Sequence, residues 1–320
     1  MIRRFAVLVL LVSLSVFAKP QRAAEASKVI DQFLTGQLGV NQALNRIQFL
    51  GEERFAAAEV VFALKRTSDA RRRVQLLEFL AQLGVRDPEV ERLLLATLAS
   101  DDTGEVMAGA RGLGRIKCAD AVKPLIGLLG SKLLGIRREA ARSLGDIGKP
   151  AATAPLLKAA KTETDLDVKI LMLLAAGRAG DKAQAPGFEA LLKDDSESTR
   201  LAAAQALCSM GAPKCAPFAA KLLASSDRNE RFQAVMLFEG ASAKVSSPLL
   251  TPLLADADDK LRARAARILV QGGDLKRLDW LVLESARAKG EVRLVYEDEL
   301  EKLRLSDEQR QAILKKAGLQ

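Results

Sequence analysis

The chain has 320 residues, 49% of them apolar but only 4% aromatic, and a formal net charge of +9. Ala and Leu without aromatics suit closely packed helices rather than a β-rich fold. The sequence contains no histidine, which removes the commonest general base, the commonest zinc and iron ligand and the usual partner of a nucleophilic cysteine.

The amino terminus reads MIRRFAVLVLLVSLSVFAKPQ, with Arg3 and Arg4, a mostly apolar run from Phe5 to Phe17, and Val16 and Ala18 as small residues before a polar stretch. This pattern predicts a secretory signal peptide over 1–18, cleaved near Ala18 by the general secretory route. The apolar run is shorter than the roughly 20 residues that cross a bilayer. The mature chain is therefore expected to start near Lys19, to be periplasmic or secreted, and to carry no membrane span. Apart from Arg71, Arg72 and Arg73, its cations alternate with carboxylates, so no nucleic-acid partner is expected.

Beyond this segment the chain repeats. Pro124, Pro155, Pro186, Pro217 and Pro248 stand 31 residues apart, and a fixed period of this length marks one supersecondary unit stacked many times. Aligned units read ARGLGRIK, ARSLGDIG, LLAAGRAG, AQALCSMG, VMLFEGAS and ARILVQGG, placing Gly114, Gly145, Gly177, Cys208, Glu239 and Val270 in one column; Gly84 and Gly51 extend it backwards. Leu113, Leu144, Leu207, Phe238 and Leu269 one residue earlier, with Ala110, Ala141, Ala204 and Ala266 four earlier, mark the apolar face of each unit's second helix. Three residues after the column, Gly148, Gly180, Gly211 and Gly273 are placed to close that helix in the left-handed conformation.

The prolines then fall close to the start of the next first helix, where a missing N–H does least damage. Asp101, Asp102, Asp165, Asp194, Asp195, Asp227, Asp256 and Asp258 precede the second helices as caps. The predicted fold is all-α: a right-handed α-solenoid of about nine helical hairpins with period 31. It forms one domain over 19–320, with core repeats over about 52–272 and a capping hairpin and helix at 274–317, the last helix opening on the capping box SDEQ.

The segments LLKDDSESTRLAAAQAL, Leu191 to Leu207, and LLADADDKLRARAARIL, Leu253 to Leu269, resemble HEAT repeats, specifically the short bacterial HEAT-like repeats also seen in phycobilin-lyase-type proteins. The resemblance covers most of Glu52 to Val270. It implies the solenoid and a surface for binding proteins, and it is nearly silent on activity. Deoxyhypusine hydroxylase, a HEAT-like enzyme, holds its metals with His-Glu motifs, so its activity does not carry over to a chain without histidine.

Arg137, Lys169, Arg200, Arg231 and Arg262 stand eight residues before the column and form a ladder of positive charge. In HEAT-like proteins such arginines usually pair with the aspartate of the preceding turn, and Asp194 and Asp256 lie six residues before Arg200 and Arg262; the competing reading is a basic groove for an acidic partner. Arg111, Arg142 and Arg267 form a thinner second column of exposed charge. Of three cysteines, Cys208 and Cys215 flank the turn of ALCSMGAPKCAP, close enough for a disulfide, while Cys208 also suits a small-residue packing position. Adjacent carboxylates such as Asp101 with Asp102, Asp194 with Asp195 and Asp258 with Asp259 recur at the turns, which favours capping over acid–base chemistry.

No catalytic, cofactor or metal site is expected. The expected function is a protein–protein interaction scaffold or adaptor that binds through its concave second-helix face. Its rivals are an accessory or lyase-type enzyme and a structural spacer in an envelope assembly.

Overall fold

The computed structural model describes residues 21–318, and every regular element among them is helical. The expected signal peptide lies outside the described residues. The Cα packing resolves two compact units that part between Ile147 and Gly148.

The first unit holds four hairpins: α1 (21–34) with α2 (Val40–Leu50), α3 (Glu53–Arg66) with α4 (Ala70–Leu83), α5 (Pro88–Thr97) with α6 (Thr103–Arg115), and α7 (Val122–Leu128) with α8 (Leu134–Ile147). The second holds five and a closing helix: α9 (Thr153–Thr162) with α10 (Leu166–Ala179), α11 (Ala185–Leu191) with α12 (Glu197–Met210), α13 (Cys215–Leu223) with α14 (Arg228–Met236), α15 (Ala243–Leu250) with α16 (Asp259–Gln271), α17 (Lys276–Arg287) with α18 (Gly290–Glu301), and α19 (Asp307–Lys316). In both units the even-numbered second helices carry the core. Leu113, Leu144, Leu207, Phe238 and Leu269 are 0% exposed, and burial of such side chains is worth about 1.5–3 kcal/mol each.

The start of each helix follows its local chemistry. Pro124, Pro155, Pro186 and Pro217 lie in the first turns of α7, α9, α11 and α13. Pro248 is different and sits inside α15, because Ala243 N donates to Gly272 O at 2.7 Å and fixes that helix start earlier. Asp69, Asp102, Asp165, Asp227 and Asp258 accept backbone N–H groups at the starts of α4, α6, α10, α14 and α16. The α12 cap is Ser196, not Asp194 or Asp195. In α19, Ser306 and Gln309 form the reciprocal capping box.

Two glycine columns three residues apart do different work, and the first two units of the sequence alignment belong to the other column. Gly51 and Gly84, with φ of +71° and +67°, close α2 and α4 in the left-handed conformation, as Gly148, Gly180 and Gly211 close later second helices. The column inside the helices sets helix separation instead. A Cβ on Gly114 would lie 2.9 Å from Ser143 Cα, and one on Gly177 would lie 2.6 Å from Ala206 Cα. A glycine after an apolar helical run fits either role, so the pattern alone did not fix the register.

Candidate binding surface

The predicted ladder is built into the turns. Arg200 Nη1 donates to Asp194 O and Asp195 O at 2.8 and 2.9 Å, Arg231 Nη1 to Ser225 O and Ser226 O at 3.1 and 3.0 Å, and Arg137 Nη1 to Ser131 O and Lys132 O at 3.0 and 3.3 Å. Arg262 Nη1 donates to Asp256 O at 2.6 Å and its Nε to the Tyr296 hydroxyl at 3.1 Å. These carbonyls lie just past the first helix of each hairpin, where intrahelical donors have run out.

The expected pairing with the Asp194 and Asp256 carboxylates is therefore corrected: both residues offer the arginine their backbone carbonyl. Their side chains instead accept Ser196 N at 3.0 Å and Asp258 N at 2.8 Å, which folds the turn. Lys169 lacks the guanidinium fork and reaches Asp194 Oδ2 at 3.8 Å. Arg200→Gln removes two charge-assisted hydrogen bonds at a half-buried site, so a loss of about 1–2 kcal/mol is expected in urea unfolding.

The second column divides. Arg111 is half-buried and spans Glu139 Oε2 at 3.2 Å and Glu78 Oε1 at 3.7 Å, whereas Arg142 is exposed. Arg267 is 3% exposed, which corrects its place among exposed charges: its Nε is 2.5 Å from Glu299 Oε2, and it also pairs with Glu239. Glu299 is met as well by Arg264 at 2.7 Å and Lys302 at 3.0 Å. Burial alone would raise the Glu299 carboxyl, but hydrogen bonds from Lys302, Arg267 and Arg264 outweigh it and hold it below the ordinary carboxylate range. The carboxylates that cover Arg267 come from the hairpins on either side, Glu239 from the preceding one and Glu299 from the next, which a single-repeat reading does not reach.

Cys208 and Cys215 are joined by a disulfide across the turn between α12 and α13, with Cα atoms 4.9 Å apart. Both are buried, as is the free thiol of Cys118. Closing so short a loop removes about 2 kcal/mol of unfolded-state entropy. A Cys208→Ala/Cys215→Ala variant is expected to lose about that much stability in urea unfolding, and reductant is expected to do the same only once the turn has opened.

The side chains that second helices turn toward solvent differ between the units. On α6 and α8 they include Met107, Arg111, Arg115, Arg138 and Arg142, together with Leu134 and Asp146. On α10, α12 and α14 the half-buried side chains include an apolar set, Ile170, Leu174, Leu201, Phe232 and Met236, lying among exposed polar residues such as Asp167, Arg178 and Glu197. Arg264 covers one end of this apolar row, with its guanidinium carbon 4.9 Å from the Phe232 ring centre. Beside it lies a cleft of about 270 Å³ reached by Phe232, Lys260, Val295 and Asp298. The row was legible in principle, because Ile170, Leu201 and Phe232 each directly follow a ladder cation.

In the first unit, α1 and α2 also flank a mostly apolar groove of about 470 Å³, lined by Lys28, Val29, Asn45, Arg46, Phe49 and Leu50, with Phe49 90% exposed. Among the described residues there is no cluster of His, Cys, Asp and Glu suited to a metal ion. No helix among them is long and apolar enough to cross a membrane.

Comparison with known proteins agrees with this architecture. The family model for HEAT repeats matches residues 93–177, 155–239 and 185–271. Among solved structures, the complex of CpcE and CpcF of phycocyanin lyase from Nostoc sp. PCC7120 is similar at a TM-score of 0.52 and 19% identity, covering 77% of this chain and 94% of that one. A designed armadillo repeat protein matches at a TM-score of 0.36 and 15% identity over 67% of this chain and 99% of its own. Human deoxyhypusine hydroxylase matches at 0.34 and 19% over 80% and 98%. No curated protein sequence matches.

Proposed function

This chain belongs to the HEAT-repeat family, and from that premise we propose that it is a non-catalytic scaffold that docks a protein partner along the second-helix face of its five-hairpin unit. The observation that carries the reading is the apolar row of Ile170, Leu174, Leu201, Phe232 and Met236 on three successive second helices. A row of half-exposed aliphatic and aromatic side chains on a rigid stack offers contact area without ordering a loop. The absence of histidine from the sequence supports binding over acid–base or metal chemistry.

The test is partner capture from envelope extracts with the wild-type chain and with Leu201→Asp, a half-exposed position where the charge reaches water. Specific capture of a protein by the wild type and its loss in the variant support the reading; capture unchanged by the substitution overturns it.

The scaffold is further proposed to work outside the cytoplasm, in the periplasm or secreted. The basic, apolar and small-residue order of MIRRFAVLVLLVSLSVFAKPQ supports this, as does a buried disulfide, which persists in oxidising compartments. Mass spectrometry of the purified envelope form is expected to find Lys19 or a near neighbour as the first residue. An intact Met1 on the native protein would count against export with cleavage.

A further inference from the structure

We propose that the second-helix face of the four-hairpin unit docks an acidic segment of another protein, gripped by Arg115, Arg138 and Arg142. This rests on the scaffold reading and adds a partner chemistry at a separate patch. Arg138 and Arg142 stand one turn apart on α8, and Arg115 ends α6 with its side chain beside Gly84 at the end of α4, so the cations span the row from α4 to α8; all three are exposed. None of the three makes a hydrogen bond or ion pair among the described residues, in contrast to Arg111 beside them.

Three contacts fix how the two helices lie. Arg111 meets Glu139 at 3.2 Å, a Cβ on Gly135 would lie 3.0 Å from Met107 Sδ, and one on Gly114 would lie 2.9 Å from Ser143 Cα. The helices therefore run side by side in the same direction, with Arg138 and Arg142 on either side of Arg111 and Arg115 level with the turn that follows Arg142. The carboxylates facing this patch are Glu78, Glu139 and Asp146. Glu78 and the buried Glu139 are both engaged by Arg111, which leaves one exposed carboxylate, Asp146, against three unpaired guanidinium groups.

That imbalance defines the occupant. One helical turn between Arg138 and Arg142 is a rise of about 6 Å, close to the spacing of alternate side chains on an extended strand, so carboxylates at every second residue of an extended segment match the pair. Met107, half-buried beside them, supplies an apolar contact. A nucleic-acid backbone fits less well: Glu78 and Asp146 repel its phosphates, and no aromatic side chain on α6 or α8 offers a base a stacking surface.

The test follows the anisotropy of a fluorescein-labelled octaglutamate peptide titrated with the purified protein, with Arg115→Glu/Arg138→Glu/Arg142→Glu, and with a charge-matched control, Lys123→Glu/Lys158→Glu/Lys221→Glu, on exposed first-helix lysines. Folding of each variant is checked by circular dichroism. The patch variant is expected to bind at least about tenfold more weakly and the control within about threefold of wild type, with wild-type binding falling as salt rises. Equal loss in both variants, no loss in the patch variant, or tighter binding of a single-stranded oligonucleotide of equal charge overturns the proposal. The outcome is independent of Leu201→Asp: capture lost in that variant while octaglutamate ignores the arginines leaves the scaffold reading standing and removes this one.

Discussion

Glu299→Ala is expected to destabilise the five-hairpin unit by about 3 kcal/mol, among the largest single-site effects this chain offers. Glu299 is 3% exposed and joins α18 to α16 through Arg264 at 2.7 Å and Arg267 at 2.5 Å, with Lys302 at 3.0 Å. Removing it takes the shared carboxylate from Arg264 and Arg267, while Lys302 keeps Asp298 at 2.7 Å; Arg267, itself 3% exposed, retains only Glu239 and Gln271. Breaking one member of a buried network costs more than the network contributes, because the buried Arg267 guanidinium cannot return to water. Urea unfolding, with hydrogen exchange to localise the loss to α16 and α18, measures the effect. A change within about 0.5 kcal/mol would show that the cluster is solvated in solution.

The same carboxylate predicts a pH dependence with a definite sign. Its folded-state value lies below the ordinary 4.5, so the unfolded chain takes up a proton first as pH falls. The contribution is therefore complete above the ordinary value and is lost as pH drops through the depressed folded value. Glu299→Gln, which keeps the shape and removes the charge, is expected to differ from wild type at pH 7 and to converge with it in acid.

The architecture was legible because its determinants are local. The 31-residue proline spacing, the caps at Asp102, Asp165 and Asp258, and the Ser306 capping box each act within a few residues of themselves. The binding surface was less legible because it depends on what the neighbouring hairpin covers. Arg200 and Arg142 are both arginines in regular columns, yet one donates to carbonyls of its own turn and the other is exposed. Arg142 and Arg267 even share a column, and only the Glu239 and Glu299 side chains around Arg267 separate a buried network from a solvent-facing charge. A repeat period predicts which positions are equivalent along the chain, but exposure is decided across the stack.

The two glycine columns make the sharpest test of that local reading, because they predict opposite tolerances three residues apart. Gly177→Val is expected to cost about 3–4 kcal/mol: the first added carbon already lies 2.6 Å from Ala206 Cα and 2.8 Å from Ala206 Cβ, so α10 and α12 must separate or tilt, and a β-branched side chain adds helix-propensity cost. Even Gly177→Ala meets backbone there rather than a flexible side-chain end. Gly180 closes α10 at φ +81°, and a Cβ there meets no atom nearer than 3.7 Å. Its requirement is conformational, so Gly180→Asn, which tolerates the left-handed region, is expected to cost about 1 kcal/mol or less, and Gly180→Val clearly more. Asn at 177 gains nothing from that tolerance and is expected to be as damaging as its volume dictates. Urea unfolding of the five variants, with amide exchange in α10 and α12, reads both effects. A neutral Gly177→Ala, or equal costs for Asn and Val at 180, would mean that helix separation and helix closure are not assigned to these two columns.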